Sequence, residues 1–459
     1  MEELDVIVIG AGLTGLTIGC HLKRAGKKVL LLEKDSVAGG QIRTMHRDGF
    51  VYELGPNTGS VSTPEVKELF ELLGDRVELE VADKEASNRL IWKGNTFHPI
   101  PSSLSGALFT PLFTWYDKFR ILGEPFRKKG IDPNESVGSL AQRRLGKSYL
   151  QYAVDPFLGG VYAGDPCKLV TRYALPKLYN LEADHGSFVK GTIHKMKQPK
   201  TERDRKATKE VFSAKGGFGN LIKAMSEYIS SDNIHLSANI ISLKRGDDGV
   251  FDVCYDDEKG TRHVLRSRKV VTTVGAYALG TILSDASVED VAQISKLQYA
   301  PVIEVAVGYK QIKPYKYKAF GGLVPSIEKR KILGILFPSD CFQGRAPQGG
   351  ALYTIFMAGI KHAEYLDMTD DELKEIALCE LNAMLNIDPD IKPDLIHISK
   401  YPYAIAQYYA DSGERFDAID RIERAFPGLY LGGSIRDGIG MAHRITQGTH
   451  IAQHIIDSL

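Results

Sequence analysis

Residues 4–44 constrain this chain more than any other stretch. Leu4–Ile9 is a short, mostly apolar run, the pattern of a buried strand. It leads straight into Gly10-Ala11-Gly12-Leu13-Thr14-Gly15, and apolar residues then recur with helical spacing through Leu16 and Leu22 to a break at Gly26. A second apolar run, Val29–Leu32, ends on Glu33. Strand, G-x-G-x-x-G turn, helix, strand and closing acid in this register form a βαβ unit suited to a dinucleotide. Gly10, Gly12 and Gly15 allow a tight turn and close backbone approach to a pyrophosphate. The helix N-terminus offers free N–H groups to it, and Glu33 can accept from ribose hydroxyls.

Glu33 is followed by Lys34 and then by Gly39-Gly40-Gln41-Ile42-Arg43-Thr44. A Gly-Gly pair with Arg-Thr close behind resembles the second fingerprint of the flavin amine oxidase superfamily. In that superfamily the segment lies along FAD, so the resemblance implies a resident FAD. No cysteine stands where some amine oxidases attach their flavin, so the FAD is expected to be non-covalent. The resemblance extends the cofactor contacts to Gly55-Pro56-Asn57, a Gly-Pro turn placed near the flavin ring, and to Ile240, Ile241, Thr273 and Val274, where the chain re-enters the FAD fold. It ends on the Gly-rich turn holding Gly433 and Ser434 and on Gly440, Met441 and Ala442. There a helix N-terminus can stabilise reduced, anionic flavin.

The overall expectation is an α/β fold. A Rossmann-like FAD-binding domain is assembled from residues 1–75, 212–295 and 416–459. A mixed-sheet substrate domain comprises 76–97 and 296–415, and a helical subdomain, 98–211, associates with a membrane and caps the substrate. In that subdomain Leu104, Leu108, Phe109, Trp115, Tyr116, Phe119, Leu122 and Phe126 are interleaved with or followed by Lys118, Arg120, Arg127, Lys128 and Lys129. Such a mixture suits a membrane interface, although ordinary core helices would carry the same pattern. The charged run from Lys195 to Glu210 reads as a mobile surface loop, and Ile234 to Leu243 as one strand.

A net charge of +1 leaves no electrostatic footprint for nucleic acid. Five scattered cysteines without metal spacing point to mostly buried, unpaired thiols in a reducing compartment. No apolar run is long enough to span a bilayer. The first strand begins almost at Met1, leaving no room for a targeting peptide. The expected location is therefore cytoplasmic, peripheral at the inner face of the membrane, with a homodimer left open.

Within the superfamily, Pro156-Phe157-Leu158-Gly159-Gly160-Val161-Tyr162-Ala163-Gly164-Asp165-Pro166 is similar to a signature of the oxygen-dependent protoporphyrinogen oxidases. Leu323-Val324-Pro325-Ser326, Leu333–Phe337 and Tyr353–Phe356 resemble further segments of that family. The resemblance implies a propionate-binding Arg89, a tetrapyrrole sandwiched by Leu323, Leu336 and Phe356, and Asn57 and Gly160 lining the pocket. It implies three rounds of hydride transfer to flavin N5 with O2 as acceptor and hydrogen peroxide as product. No side chain is assigned as a catalytic base, and no metal is expected. The alternatives are oxidation of coproporphyrinogen, with four propionates instead of two, and a flavin amine oxidase. The chain departs from the family at Arg436, Asp437 and Met441 in the last turn, where small residues are usual.

Overall fold

A computed structural model describes residues 3–101 and 103–459, with Leu104 described by its backbone alone; the side chain of that apolar position lies outside the described residues. Two seven-stranded sheets organise the molecule. The first is built around Leu4–Ile9, flanked in parallel by Val29–Leu32 and by the second half of Arg262–Thr272. Leu429–Leu431 joins in parallel beyond residues 270–272. The first half of Arg262–Thr272 instead carries an antiparallel meander of Phe251–Asp256 and Asn239–Arg245.

The helices Leu13–Arg24, Pro64–Leu73, Phe218–Ile229 and Met441–Ser458 bury their apolar sides on one face of this sheet. The meander and the helices Ala276–Ile282 and Ser412–Ala425 share a core on the other face. Leu4–Ile9, Val29–Leu32, Leu429–Leu431 and the end of Arg262–Thr272 are mostly apolar and buried, as cover on both faces requires.

The second sheet runs in the order Leu395–Ala406, Tyr299–Tyr309, Ala351–Ala358, Gly334–Leu336, Gly321–Leu323, Arg89–Lys93, Thr96–Pro99. One face packs Leu90, Ile335, Ile355, Val305 and Val307 against the helix Asp370–Leu385. The hairpin of Thr44–Arg47 and Phe50–Glu53 joins the two sheets, turning through Asp48 and Gly49 at φ 53° and 86°. Short helices from Leu104 to Arg205 form the third part. It is held by a fully buried guanidinium, Arg144, that ion-pairs with Glu124 and Glu182.

Two local expectations need correction. Residues 202–205 form a helical turn with a Thr201–Asp204 capping box, and Arg203 ties it to Glu65 and Glu68. That charged run is fixed through specific ion pairs, which composition does not reveal. Ile234–His235 and Asn239–Arg245 are separate strands in different parts of the sheet. The chain breaks between them at Ser237, with φ 52°, where Ser237 and Ala238 donate to Asp35 and Glu33 carbonyls. Of the five cysteines only Cys20 and Cys341 are buried, while Cys167 and Cys379 are exposed. No described helix is long and apolar enough to cross a membrane.

Candidate active site

The G-x-G-x-x-G turn is formed as its spacing predicts. Gly10 adopts φ 102°, and a Cβ on Gly15 would sit 1.9 Å from the Gly10 carbonyl oxygen, so helix and strand can meet only through glycine. Gly12 is different. Its φ of −74° suits any residue, and a Cβ there would meet nothing within 4 Å. The helix Leu13–Arg24 starts at Gly12 with no side-chain cap and no acid in its first turn. Its N–H groups and positive dipole end therefore face an open cradle.

Gly39 donates to the Ala11 carbonyl at 2.8 Å, and a Cβ on Gly40 would lie 3.5 Å from Gly12 Cα. Two glycine turns far apart in sequence thus meet as one floor. Glu33, buried at the end of its strand, accepts from Ala11 N–H at 2.8 Å and Asp35 N–H at 3.0 Å. Both oxygens keep lone pairs for a ribose. Ile240 and Ile241 begin the strand that follows the Glu33 contact. Thr273 bonds to the Gly10 carbonyl at 3.1 Å, and Gly433 packs on Thr273 at φ 88°.

Several expected contacts have other partners in this structure. Thr44 accepts from Gly219 N–H and donates to Glu53, tying the second glycine segment to the helix Phe218–Ile229. Arg43 pairs with Asp35 at 3.0 Å on the surface, and Gln41 reaches the Tyr403 carbonyl. Met441 and Ala442 are buried in the core of the parallel layer. At the start of the last helix, as at the first, what remains free is backbone N–H, since Gly440 supplies no side-chain cap.

The final turn, whose unusual residues sequence left unassigned, is held from behind. Tyr408 donates to the Ser434 carbonyl, Arg415 to that of Ile435 and Arg444 to that of Arg436. Arg415 and Arg444 have no carboxylate partner among the described residues. Burial lowers the pKa of both, so each is a costly cation kept beneath this turn. Arg436 turns outward to Asp420 and Glu423.

The second sheet presents its other face toward Asn57. Strand registers pair Ile91 with Leu323, Leu323 with Gly334, Gly334 with Phe356, Phe356 with Glu304 and Glu304 with Ser399. The row two residues along pairs Arg89, Gly321, Leu336, Thr354 and Ala306. Directly paired residues and those two apart share a sheet face. Arg89, Leu323, Leu336 and Phe356, drawn from four strands, therefore stand on one surface. Leu323, Leu336 and Phe356 are half-buried. Gly160 lies against Leu323, since a Cβ on it would be 2.4 Å from Leu323 Cδ2. The exposed Arg89 guanidinium has no hydrogen-bond or ion-pair partner among the described residues and rests over the Phe320 ring at 5.8 Å.

The same surface carries a polar cluster that sequence reasoning missed. Asn57 Nδ2 donates to Glu304 Oε2 at 3.0 Å, and Thr354 Oγ1 donates to Asn57 Oδ1 at 3.0 Å. Glu304 is buried in the run Val302-Ile303-Glu304-Val305, and burial holds its carboxyl well above the usual range. A lone acid in an apolar strand was the available signal. Asn57 itself sits after Gly55, where a Cβ would clash with the Gln41 carbonyl at 2.0 Å. The glycine floor thus packs, through the Gln41 carbonyl, against the Gly55 turn that carries Asn57.

The profile of the family described as flavin containing amine oxidoreductase matches residues 13–456. A chloroplastic protoporphyrinogen oxidase of Nicotiana tabacum is 29% identical over 99% of this chain and 85% of its own length. A coproporphyrinogen III oxidase of Bacillus subtilis is 22% identical, over 96% of each chain. A crystal structure from Exiguobacterium, provisionally named a protoporphyrinogen oxidase, superposes with TM-score 0.81 at 21% identity over the whole of both chains. The open cradle at Gly12 and the uncapped helix beneath it fit a flavin dinucleotide. The chain belongs to the flavin-containing amine oxidoreductase family, and its cofactor is FAD.

Proposed function

We propose that this enzyme oxidises protoporphyrinogen IX to protoporphyrin IX, with O2 as acceptor and hydrogen peroxide as product. The observation that carries this reading is the half-buried surface of Leu323, Leu336 and Phe356 with an unpaired guanidinium, Arg89, at its edge. A flat, mostly apolar macrocycle with carboxylate tails requires that combination. The relatives named for porphyrinogen oxidation, matched over nearly the whole chain, support it.

Bound FAD supplies hydride acceptance, one pair of electrons per round. The chain's residues do the rest. The Gly10–Gly15 turn with Gly39 and Gly40 holds the pyrophosphate, and Glu33 the ribose. Leu323, Leu336 and Phe356 orient the ring and exclude water, and Arg89 clamps a propionate in bidentate fashion. The residues divide between cofactor and substrate layers as the segments 1–75, 212–295 and 416–459 against 76–97 and 296–415.

The helical part docks on a membrane surface. Phe109, Tyr116, Phe119, Leu122 and Phe126 are each more than 60% exposed, and Trp115 is half exposed beside Lys118. Single exposed apolar residues are ordinary, whereas this cluster on neighbouring short helices matches an interfacial anchor. It would deliver a poorly soluble substrate from the bilayer.

Aerobic porphyrin fluorescence with protoporphyrinogen and coproporphyrinogen in parallel tests the assignment. Faster protoporphyrin formation, strongly reduced in Arg89→Ala, is expected. Preference for coproporphyrinogen would move the substrate to the tetracarboxylate, and inactivity with both despite full FAD would refute porphyrinogen oxidation.

A further inference from the structure

The buried cluster at Glu304 has no part in the chemistry above, although it lies on the substrate face. Glu304 is cross-strand partner to Phe356, one of the ring-sandwiching residues. Only Oε2 is engaged, by Asn57; Oε1 makes no hydrogen bond among the described residues. The carboxyl has no cationic partner, and the groups facing it are few. Asn57 and Thr354 are neutral. Tyr401, from the neighbouring strand, donates to the Leu54 carbonyl, and Ser399 stands opposite in the register. Glu53, beyond Asn57, pairs with Arg345 at 3.1 Å, and its charge adds to burial in raising Glu304. A carboxyl buried without a counter-charge is costly to a strand that Val or Ala would suit better. Stability does not account for it.

We propose that Glu304 is the proton acceptor at this site, taking a pyrrole N–H proton on its unengaged oxygen in each two-electron step. The inference rests on the porphyrinogen reading. In the step, the C–H bond of a bridging methylene breaks and its electron pair leaves with the hydrogen to the flavin. The N–H bond of the adjoining pyrrole breaks, its electrons stay on the ring as a new C=N bond, and the proton goes to the Glu304 carboxylate. The macrocycle loses one hydride and one proton. Reduction of O2 to hydrogen peroxide consumes the same hydride and one proton, so Glu304 returns its proton every round.

Asn57 acts as a positioning residue, fixing Oε2 so that Oε1 faces the ring. The same Asn57 N–H can donate to a glutamine carbonyl, so Glu304→Gln retains the contact but cannot take a proton. Burial raises the acid's pKa, so the ionised, accepting fraction grows as pH rises.

Anaerobic stopped-flow bleaching of the flavin by porphyrinogen, from about pH 6 to about pH 9, tests this. The wild-type rate should climb with pH through one ionisation. Glu304→Gln should retain FAD and bind the product porphyrin within about twofold of wild type, yet bleach at least ~100-fold more slowly, without that pH limb. A second readout needs no turnover: the infrared band of a protonated carboxylic acid in the resting protein, titrating with the same midpoint and missing from Glu304→Gln. A flat wild-type profile, or a variant that bleaches normally, would overturn the role of Glu304. A slowed variant with proportionally weakened porphyrin binding would overturn it too, by making the residue structural. Wild-type flavin that no porphyrinogen bleaches would instead refute the reading on which it rests.

Discussion

Gly12→Ala separates cofactor binding from folding. Gly12 has an unstrained φ of −74° and open space where a methyl would go. Removing glycine's freedom in the unfolded chain gains about 0.4–1 kcal/mol, and placing alanine at an N-cap loses about as much. The FAD-free variant should therefore melt within about 0.5 kcal/mol of wild type. Bound FAD should behave otherwise, because the methyl occupies the space over the helix N-terminus. Loss of one hydrogen bond to a charged group, about 1.5–3 kcal/mol, weakens FAD roughly 10- to 150-fold. Urea melts of apoprotein and fluorescence titration of apoprotein with FAD measure the two effects. Gly15→Ala, whose Cβ would lie 1.9 Å from a backbone oxygen, should instead damage the apoprotein itself. Unchanged FAD affinity in Gly12→Ala would refute the placement of the pyrophosphate.

Arg144→Met removes a fully buried cation from Glu124 and Glu182 and should cost about 3–5 kcal/mol in urea unfolding, read by hydrogen exchange over residues 120–190. Acid should have a related effect. Burial would raise Glu182, but hydrogen bonds from Arg143, Arg144 and Gly130 outweigh it and hold the carboxyl at about 2, below its ordinary 4.5. That stabilisation is complete above the ordinary value and is lost as pH falls toward 2, so the helical part should loosen first in an acid titration followed by exchange. Replacing Phe109, Phe119 and Phe126 together by Ser should reduce sedimentation with vesicles at least tenfold without changing the melt, since a fully buried Phe contributes ~1.5–3 kcal/mol. Gly160→Ala forces Leu323 to move and should raise KM for porphyrinogen more than it lowers kcat, by steady-state fluorescence kinetics.

The cofactor half was legible because its signals are local. Gly10, Gly12, Gly15 and Glu33 fall within one βαβ unit whose strand and helix periods fix where each points. The proposed substrate face was suggested only by resemblance. Arg89, Leu323, Leu336 and Phe356 share a surface through pairings across four strands, and register is invisible in any one of them. Glu304 was missed for the same reason, since its meaning comes from Asn57, 247 residues earlier in the chain. Nothing local in the sequence marks Arg415 and Arg444 as buried; only the packed turn above them places them inside. Charge alone misassigned residues 202–205, because Glu65 and Glu68, which immobilise Arg203, lie far off in sequence.

Anaerobic titration of FAD-loaded enzyme with protoporphyrinogen tests the central claim most directly. Oxidation to the porphyrin removes six hydrogens as three hydride–proton pairs. A third of an equivalent should therefore bleach all of the flavin and give a matching yield of protoporphyrin fluorescence, and air should restore the yellow colour with hydrogen peroxide. Flavin left oxidised by excess porphyrinogen, yet bleached by a primary amine, would contradict the account.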